Sequence, residues 1–266
     1  MIKFVENKIS MKKFVGVLLL IILFSMGCRK KEDPKPPVTN PPSLSLSFKN
    51  MVGADTLTLE TASYTNAHGD TFNVSMYKYY ISNIVLTKED GSTFTDTNGY
   101  YLVDAEKPLS REIKINNIAS GSYTKIQFLV GVDSIRNVSG AQTGALDPFY
   151  GMFWDWNSGY IMAKLEGTSP QSPNVSKQFV YHIGGFNGPD NVLKTVELSF
   201  PNKAVVVSNS HTVIQINSDI LEWFKTPSTI SIFNFPGAMN GGKPARTLSD
   251  NYADMFTVQY VTTTIE

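Results

Sequence analysis

The sequence predicts an all-β fold, an antiparallel β-sandwich with short helical turns near the C-terminus. Short segments alternate between apolar and polar residues, which is the period of a half-buried strand. β-branched and aromatic residues are frequent in these segments, and Gly, Asn, Asp or Pro residues separate them. The folded part shows no fixed-period repeat and no compositional break. We therefore expect one domain over residues 44–266.

The predicted strands follow one another from residue 44 to residue 216. Most are short runs whose apolar residues recur at every second position. They cover residues 44–48, 57–59, 72–76, 80–86, 113–115, 126–132, 161–165, 179–183, 196–200, 205–207 and 213–216. Residues 219–224 predict one helical turn, and residues 248–256 predict two turns with Ser249 as the N-cap.

The N-terminal segment, residues 1–27, predicts a lipoprotein signal peptide. Lys12 and Lys13 precede an apolar run over residues 14–24, which is too short to cross a bilayer as a helix. The order Ser-Met-Gly-Cys that ends at Cys28 resembles a bacterial lipobox, in which the cysteine is acylated. We expect translation to start at Met11. The alternative is an ordinary signal peptide with an incidental cysteine.

Residues 28–43 predict a tether between a lipid anchor and the folded domain. Five prolines lie between Cys28 and Ser43, and Val38 is the one large apolar residue there, so the segment cannot bury a core. The charged residues 30–33 resemble the export signal of surface lipoproteins in the Bacteroidetes. We expect an outer-membrane lipoprotein on the periplasmic side or on the cell surface.

Composition excludes several classes of function. The chain has 23 Lys and Arg against 23 Asp and Glu, so no basic excess is present to hold nucleic acid. Cys28 is the single cysteine, which excludes a disulfide and thiol catalysis once it carries lipid. Phosphate-loop, G-x-S-x-G, H-E-x-x-H and C-x-x-C motifs are absent. We expect a protein that is not an enzyme, although a carboxylate pair of a hydrolase is recognisable only in space.

The segment over residues 146–167 is the densest in aromatic residues. Trp154 and Trp156 are two positions apart, so an extended chain points both rings to one side and Asp155 to the other. One interpretation is an aromatic corner that closes an end of the sandwich, and the other is a wall over a ligand or metal. Asp133, Asp147 and Asp155 leave calcium as a further alternative, although such aspartates also cap turns.

A succession of motifs resembles the MbnP-like family, the methanobactin-associated copper-binding proteins. The resemblance covers nearly the whole predicted mature chain, and its most specific block is F-W-x-W-x-S-G-Y. The motifs are N-x-x-G-x-x-F-x-V at 66–74, YYISNI at 79–84, IQFLVGVD at 126–133, GALDP at 144–148, GMFWDWNSGY at 151–160, YHIGG at 181–185 and DNYADMF at 250–256. The family implies an extracytoplasmic β-sandwich and a di-haem cytochrome c peroxidase-like partner.

The resemblance also implies a copper site made of histidines, with a tryptophan oxidised to kynurenine by the partner enzyme. The chain has three histidines, and His182 lies in the matched YHIGG motif. His68 lies in a loop before a strand, so we expect His68 and His182 to be the metal ligands, whereas His211 follows a turn. Met152 or Met239 would add a soft donor suited to copper(I).

Two functions of different class are therefore open at the level of sequence. The first is a lipid-anchored copper-binding protein in which Trp154 or Trp156 shields the metal or is oxidised. The second is a metal-free cell-envelope module whose aromatic rim binds a carbohydrate, a peptide or a protein.

Overall fold

The computed structural model describes residues 39–156, 159–239 and 241–265. The predicted signal peptide, the lipidation residue Cys28 and the tether up to residue 38 lie outside these residues. Within the described ranges, the helices are all too short or too polar to cross a membrane.

Strands make up about half of the described chain. Its strands are β1 (Ser43–Val52), β2 (Asp55–Thr56), β3 (Tyr64–Thr65), β4 (Thr71–Phe72), β5 (Met76–Lys88), β6 (Thr93–Asp104), β7 (Glu112–Ile115), β8 (Gly121–Val130), β9 (Phe153–Trp154), β10 (Gly159–Thr168), β11 (Gln178–Gly184), β12 (Lys194–Val206), β13 (Ser210–Asp219), β14 (Gly237–Ala238) and β15 (Phe256–Ile265). The α-helices are α1 (Ser134–Val138) and α2 (Lys243–Tyr252). Short 3₁₀ turns cover Pro108–Arg111, Gly144–Leu146, Pro148–Tyr150, Gly188–Asp190 and Ile220–Phe224.

Two sheets form the sandwich, which confirms the predicted all-β fold. The five-stranded sheet has the order β15-β13-β1-β2, with β7 also paired to β1. The eight-stranded sheet has the order β12-β8-β5-β10-β11-β14, with β6 paired to β5 and β9 paired to β10. Most pairs are antiparallel, but β1 with β13 and β11 with β14 are parallel. The small hairpin β3-β4 lies apart from both sheets.

Aromatic side chains join the two sheets. Phe48 of β1 packs edge-on against Tyr79 of β5 and Phe128 of β8, with ring centroids 6.0 and 6.3 Å apart. Phe256 of β15 contacts Tyr79 at 5.6 Å and Phe128 at 5.1 Å in the same T-shaped manner. Such edge-to-face pairs contribute about 0.5–1.5 kcal/mol each beyond their buried area. This cluster of four buried rings links the two sheets.

Strand β5 is covered on its outer face as well. Lys78 and Tyr80 alternate with the inward-facing residues and are nearly or fully buried. The Lys78 ammonium lies 3.1 Å from the Asp104 carboxylate of β6, and the Tyr80 hydroxyl donates to the carbonyl of Ala145 at 3.1 Å. The residues after α1, up to Trp156, therefore form a layer over the large sheet.

The helical predictions were correct at one site and wrong at another. Residues 219–224 do form a 3₁₀ turn, capped by the Asp219 carboxylate. The second helix covers Lys243–Tyr252 rather than residues 248–256, because Phe256 already belongs to β15. Ser249 is not its N-cap but lies inside the helix, where its hydroxyl donates to the carbonyl of Arg246. Gly242 occupies the cap position instead.

Candidate functional site

His68 lies in the loop between β3 and β4, and a carboxylate orients its ring. Its Nδ1 lies 3.1 Å from Asp70 Oδ1, and its side chain is 47% exposed. Asp70 is buried and also accepts hydrogen bonds from the Ile232 N–H at 2.7 Å and from Asn66. Burial raises the pKa of Asp70, but hydrogen bonds from Ile232, His68 and Asn66 outweigh it and hold that pKa below its ordinary value. The carboxylate therefore stays ionised beside the imidazole at neutral pH.

His182 lies in β11 on the outer face of the large sheet. Its Nε2 is 2.6 Å from Glu166 Oε1 on the neighbouring strand β10. The hydrogen bond from His182 lowers the pKa of Glu166 more than burial raises it, so Glu166 is ionised at neutral pH. Histidines that bind metals usually hold a carboxylate through the other ring nitrogen, and this fixes the ring and its tautomer. His68 and His182 both have this feature.

His211 has a different environment. It lies in β13, and its Nδ1 is 2.7 Å from the hydroxyl of Ser43 on β1. The contact closes the end of a parallel strand pair, which is a structural role.

The structure does not bring His68 and His182 into one set of ligands. In the part of the chain that the structure describes, no three His, Cys, Asp or Glu side chains gather as a group suited to a metal ion. The aspartates considered for calcium are also not gathered. Asp133 caps α1 by accepting from the Arg136 N–H, and Asp147 caps the next turn by accepting from the Phe149 N–H.

A methionine follows β14, the strand next to β11. In the parallel pairing of these two strands, Tyr181 is opposite Ala238. His182 and Met239 are the residues that come next in the two segments. Met239 is 48% exposed, whereas Met152 is fully buried in the core. Of the two methionines considered from the sequence, Met239 is therefore the accessible one.

Gly241 also lies close to the end of β11. A Cβ at Gly241 would lie 3.5 Å from the carbonyl oxygen of Gly184, three residues further along both segments. A Cβ at Gly185 would overlap the carbonyl of Asp190 and approach Gly241. These glycines let three stretches of backbone pack closely at the edge of the sheet.

Trp154 packs on the strand that carries His182. A Cβ at Gly184 would overlap the six-membered ring of Trp154, so the indole rests directly on this glycine. Gly184 and His182 are alternate residues of β11 and therefore share its outer face. The Trp154 side chain is buried, whereas Trp156 follows in a turn and is 62% exposed. Their ring centroids are 5.6 Å apart, so the two tryptophans form one pair with an inner and an outer ring.

Comparison with known proteins gives the family of this chain. A family model described as MbnP matches residues 41–240, which is most of the chain. The chain belongs to the MbnP family. A search of curated proteins found no match. Among solved structures, the chain is similar to MbnP from Methylosinus trichosporium, with 14% identity over 73% of this chain and 80% of that chain and a TM-score of 0.46.

The contact between Trp154 and Gly184 predicts the effect of one methyl group. Gly184→Ala should force the indole off β11, destabilise the protein by about 1–3 kcal/mol through overpacking and shift tryptophan emission to the red. Gly237→Ala is the matched control, because a Cβ there meets no atom closer than the Val180 oxygen at 3.4 Å. Urea unfolding with fluorescence detection measures both effects. Equal stability and equal emission for the two variants would contradict the packing described here.

Proposed function

We propose that this protein is a lipid-anchored, extracytoplasmic member of the MbnP family that binds copper(I) without catalysing a reaction. His182 and Met239 would hold the metal at the edge of the large sheet. The observation that supports this most directly is the parallel pairing of Tyr181 with Ala238, since His182 and Met239 are the next residues along the two segments. When bound, copper(I) would supply a redox-active centre.

The donor types fit copper(I). Thioether sulfur selects copper(I) among the biological metals, and neutral imidazole is a common partner for copper. Glu166 holds one ring nitrogen of His182 and leaves the other for a metal. Lys164 is the cross-strand neighbour of His182, and its ammonium donates to the carbonyl of Gly151 at 2.6 Å. A neighbouring ammonium repels a doubly charged cation more than a singly charged one, which also favours copper(I).

His68 is proposed as a separate and weaker ligand position. Asp70 orients its ring, and nearly half of its side chain is exposed. We propose no second soft donor at His68, so copper there should exchange faster than copper at His182.

The tryptophan pair would shield the metal from water, and its exposed ring would contact a partner protein. Trp154 is buried against Gly184, while the exposed ring of Trp156 is accessible from solution. We propose Trp156 as the residue that a di-haem cytochrome c peroxidase-like partner would reach. Its oxidation would appear as added mass on the tryptic peptide that contains it.

A second candidate function rests on exposed aromatic side chains. Phe149 is 89% exposed and Trp156 is 62% exposed, and both belong to the layer that covers the large sheet. Such an aromatic rim suits a metal-free envelope module that binds a carbohydrate, a peptide or a protein.

Copper titration separates the two candidates. With copper(I) supplied through a competing chelator, His182→Ala and Met239→Leu should each weaken binding at least tenfold, and His68→Ala should leave the tighter site unchanged. His211→Ala is the matched control, since that ring bonds Ser43. Binding should also weaken at acidic pH, because protons compete with the metal for the ring nitrogen. Equal affinity of wild type, His182→Ala and Met239→Leu would remove this site, and no binding by wild type would favour the metal-free module.

The anchor has its own test. The tether after Cys28 carries no apolar surface that would hold a membrane, so Cys28→Ser should release the protein into the soluble fraction. Acylation by more than one chain gives stable attachment, whereas a single chain is marginal. Fractionation of cells that express wild type and Cys28→Ser measures this. Recovery of the variant in the membrane pellet would contradict lipid anchoring through this residue.

A further inference from the structure

A second site candidate is a polar cleft between β6 and the residues that follow α1. Its volume is about 480 Å³, within the range of small-molecule sites in proteins. Its lining contains amide, hydroxyl, guanidinium and aromatic groups together with a few apolar side chains. The lining residues are Asn98, Tyr100, Arg136, Gln142, Thr143, Gly144, Ala145 and Leu146. His182 and Met239 do not belong to it.

A β-bulge in β6 builds one wall of this cleft. Ser82 of β5 pairs with Tyr100 and Ile84 pairs with Asp96, so three residues of β6 face one residue of β5. Gly99 lies in this bulge, where a Cβ would overlap the Asp96 carboxylate. Bulges redirect side chains and are frequent beside binding sites.

Hydrogen bonds to buried groups fix the opposite wall. The Gln142 N–H donates to the hydroxyl of Tyr160 at 3.1 Å, and that hydroxyl donates to the carbonyl of Leu146 at 2.9 Å. The hydroxyl of Tyr80 donates to the carbonyl of Ala145 at 3.1 Å. Because Tyr80 and Tyr160 belong to the large sheet, the wall is attached to a rigid support.

Arg136 is held at the cleft in a defined position. Its Nη1 donates to Gln142 Oε1 at 3.2 Å, and Gln142 Nε2 returns a bond to the Arg136 carbonyl at 2.9 Å. The guanidinium carbon lies 5.4 Å from the centre of the Tyr100 ring. The Tyr100 hydroxyl donates to the carboxylate of Asp133. This network fixes the guanidinium before any ligand arrives, which lowers the cost of binding.

The charge of Arg136 has no carboxylate partner among the described residues. Arg136 forms no salt bridge there, and the cleft lining includes no acidic side chain. Asp133, the acid nearest in the chain, accepts instead from the Tyr100 hydroxyl and the helix N–H of Arg136. A guanidinium has five N–H donors in a planar fork that matches a carboxylate. The cleft therefore offers positive charge and unused donors.

We propose that this cleft binds a small hydroxylated carboxylate of the sugar-acid class. Arg136 would pair with the carboxylate, and Asn98, Gln142 and Thr143 would hydrogen-bond the hydroxyl groups. The proposal is independent of copper binding, since none of these residues belongs to the His182 site.

Calorimetric titration of the purified full chain in detergent tests the proposal. Glucuronate should bind at least tenfold more tightly than glucose, which has the same ring without the carboxylate. Arg136→Gln should weaken glucuronate binding at least tenfold. Arg246→Gln is the matched control, because Arg246 pairs with Asp190 away from the cleft, and it should change affinity less than twofold.

Thermal unfolding of each variant checks that it is folded. If Arg136→Gln is unfolded, Asn98→Ala carries the test, because the Asn98 side chain is exposed and its loss should weaken glucuronate binding at least threefold. No glucuronate binding by wild type, equal binding of glucose, unchanged affinity in the folded variants, or equal binding of inorganic phosphate would each overturn the assignment.

Discussion

The architecture depends on one strand, β5, that is buried on both faces. Its inward side chains meet the second sheet, where the Tyr77 hydroxyl bonds Ser218 at 2.7 Å and the Tyr79 hydroxyl donates to Asn50 at 3.1 Å. Its outward side chains are polar, so they need partners once water is excluded, because an unpaired buried polar group costs several kcal/mol. Lys78 pairs with Asp104 of β6 and Ser82 donates to the carbonyl of Gly131. Tyr80 donates to the carbonyl of Ala145, which belongs to the layer between α1 and β10. Both candidate sites lie on this outer layer or at its edge.

Close packing of glycines at the sheet edge links the two most specific motifs. Trp154 comes from the F-W-D-W block, and the glycine on which it rests, Gly184, comes from YHIGG. Each motif needs the other, since a side chain at Gly184 would displace the indole. The same glycines let Gly237 and Gly241 approach β11 closely, and Met239 lies between them in the chain. The candidate copper site is thus a consequence of backbone packing as well as of donor type.

The sequence predicted the fold class and most core strands because alternating burial leaves a period of two. It missed β6 and β15, since Thr93–Asp104 contains a bulge that breaks the alternation and Phe256–Ile265 has mostly exposed polar residues. The matched YHIGG motif singled out His182. The pairing of β11 with β14 was not predictable, because it is a parallel contact between two segments far apart in the chain. The sequence predicted one extended segment that contains both Trp154 and Trp156. In the structure Trp154 belongs to β9 but Trp156 lies in a turn, and their ring centroids are 5.6 Å apart.

X-ray absorption at the copper edge tests the central proposal, that the thioether of Met239 and the imidazole of His182 hold copper(I). The spectrum of the copper(I)-loaded full chain should contain one sulfur scatterer together with imidazole nitrogen. The sulfur signal should disappear in Met239→Leu while nitrogen remains, because the fold around His182 does not depend on that side chain. A shell of nitrogen and oxygen alone in wild type, or a sulfur signal that survives Met239→Leu, would contradict the account.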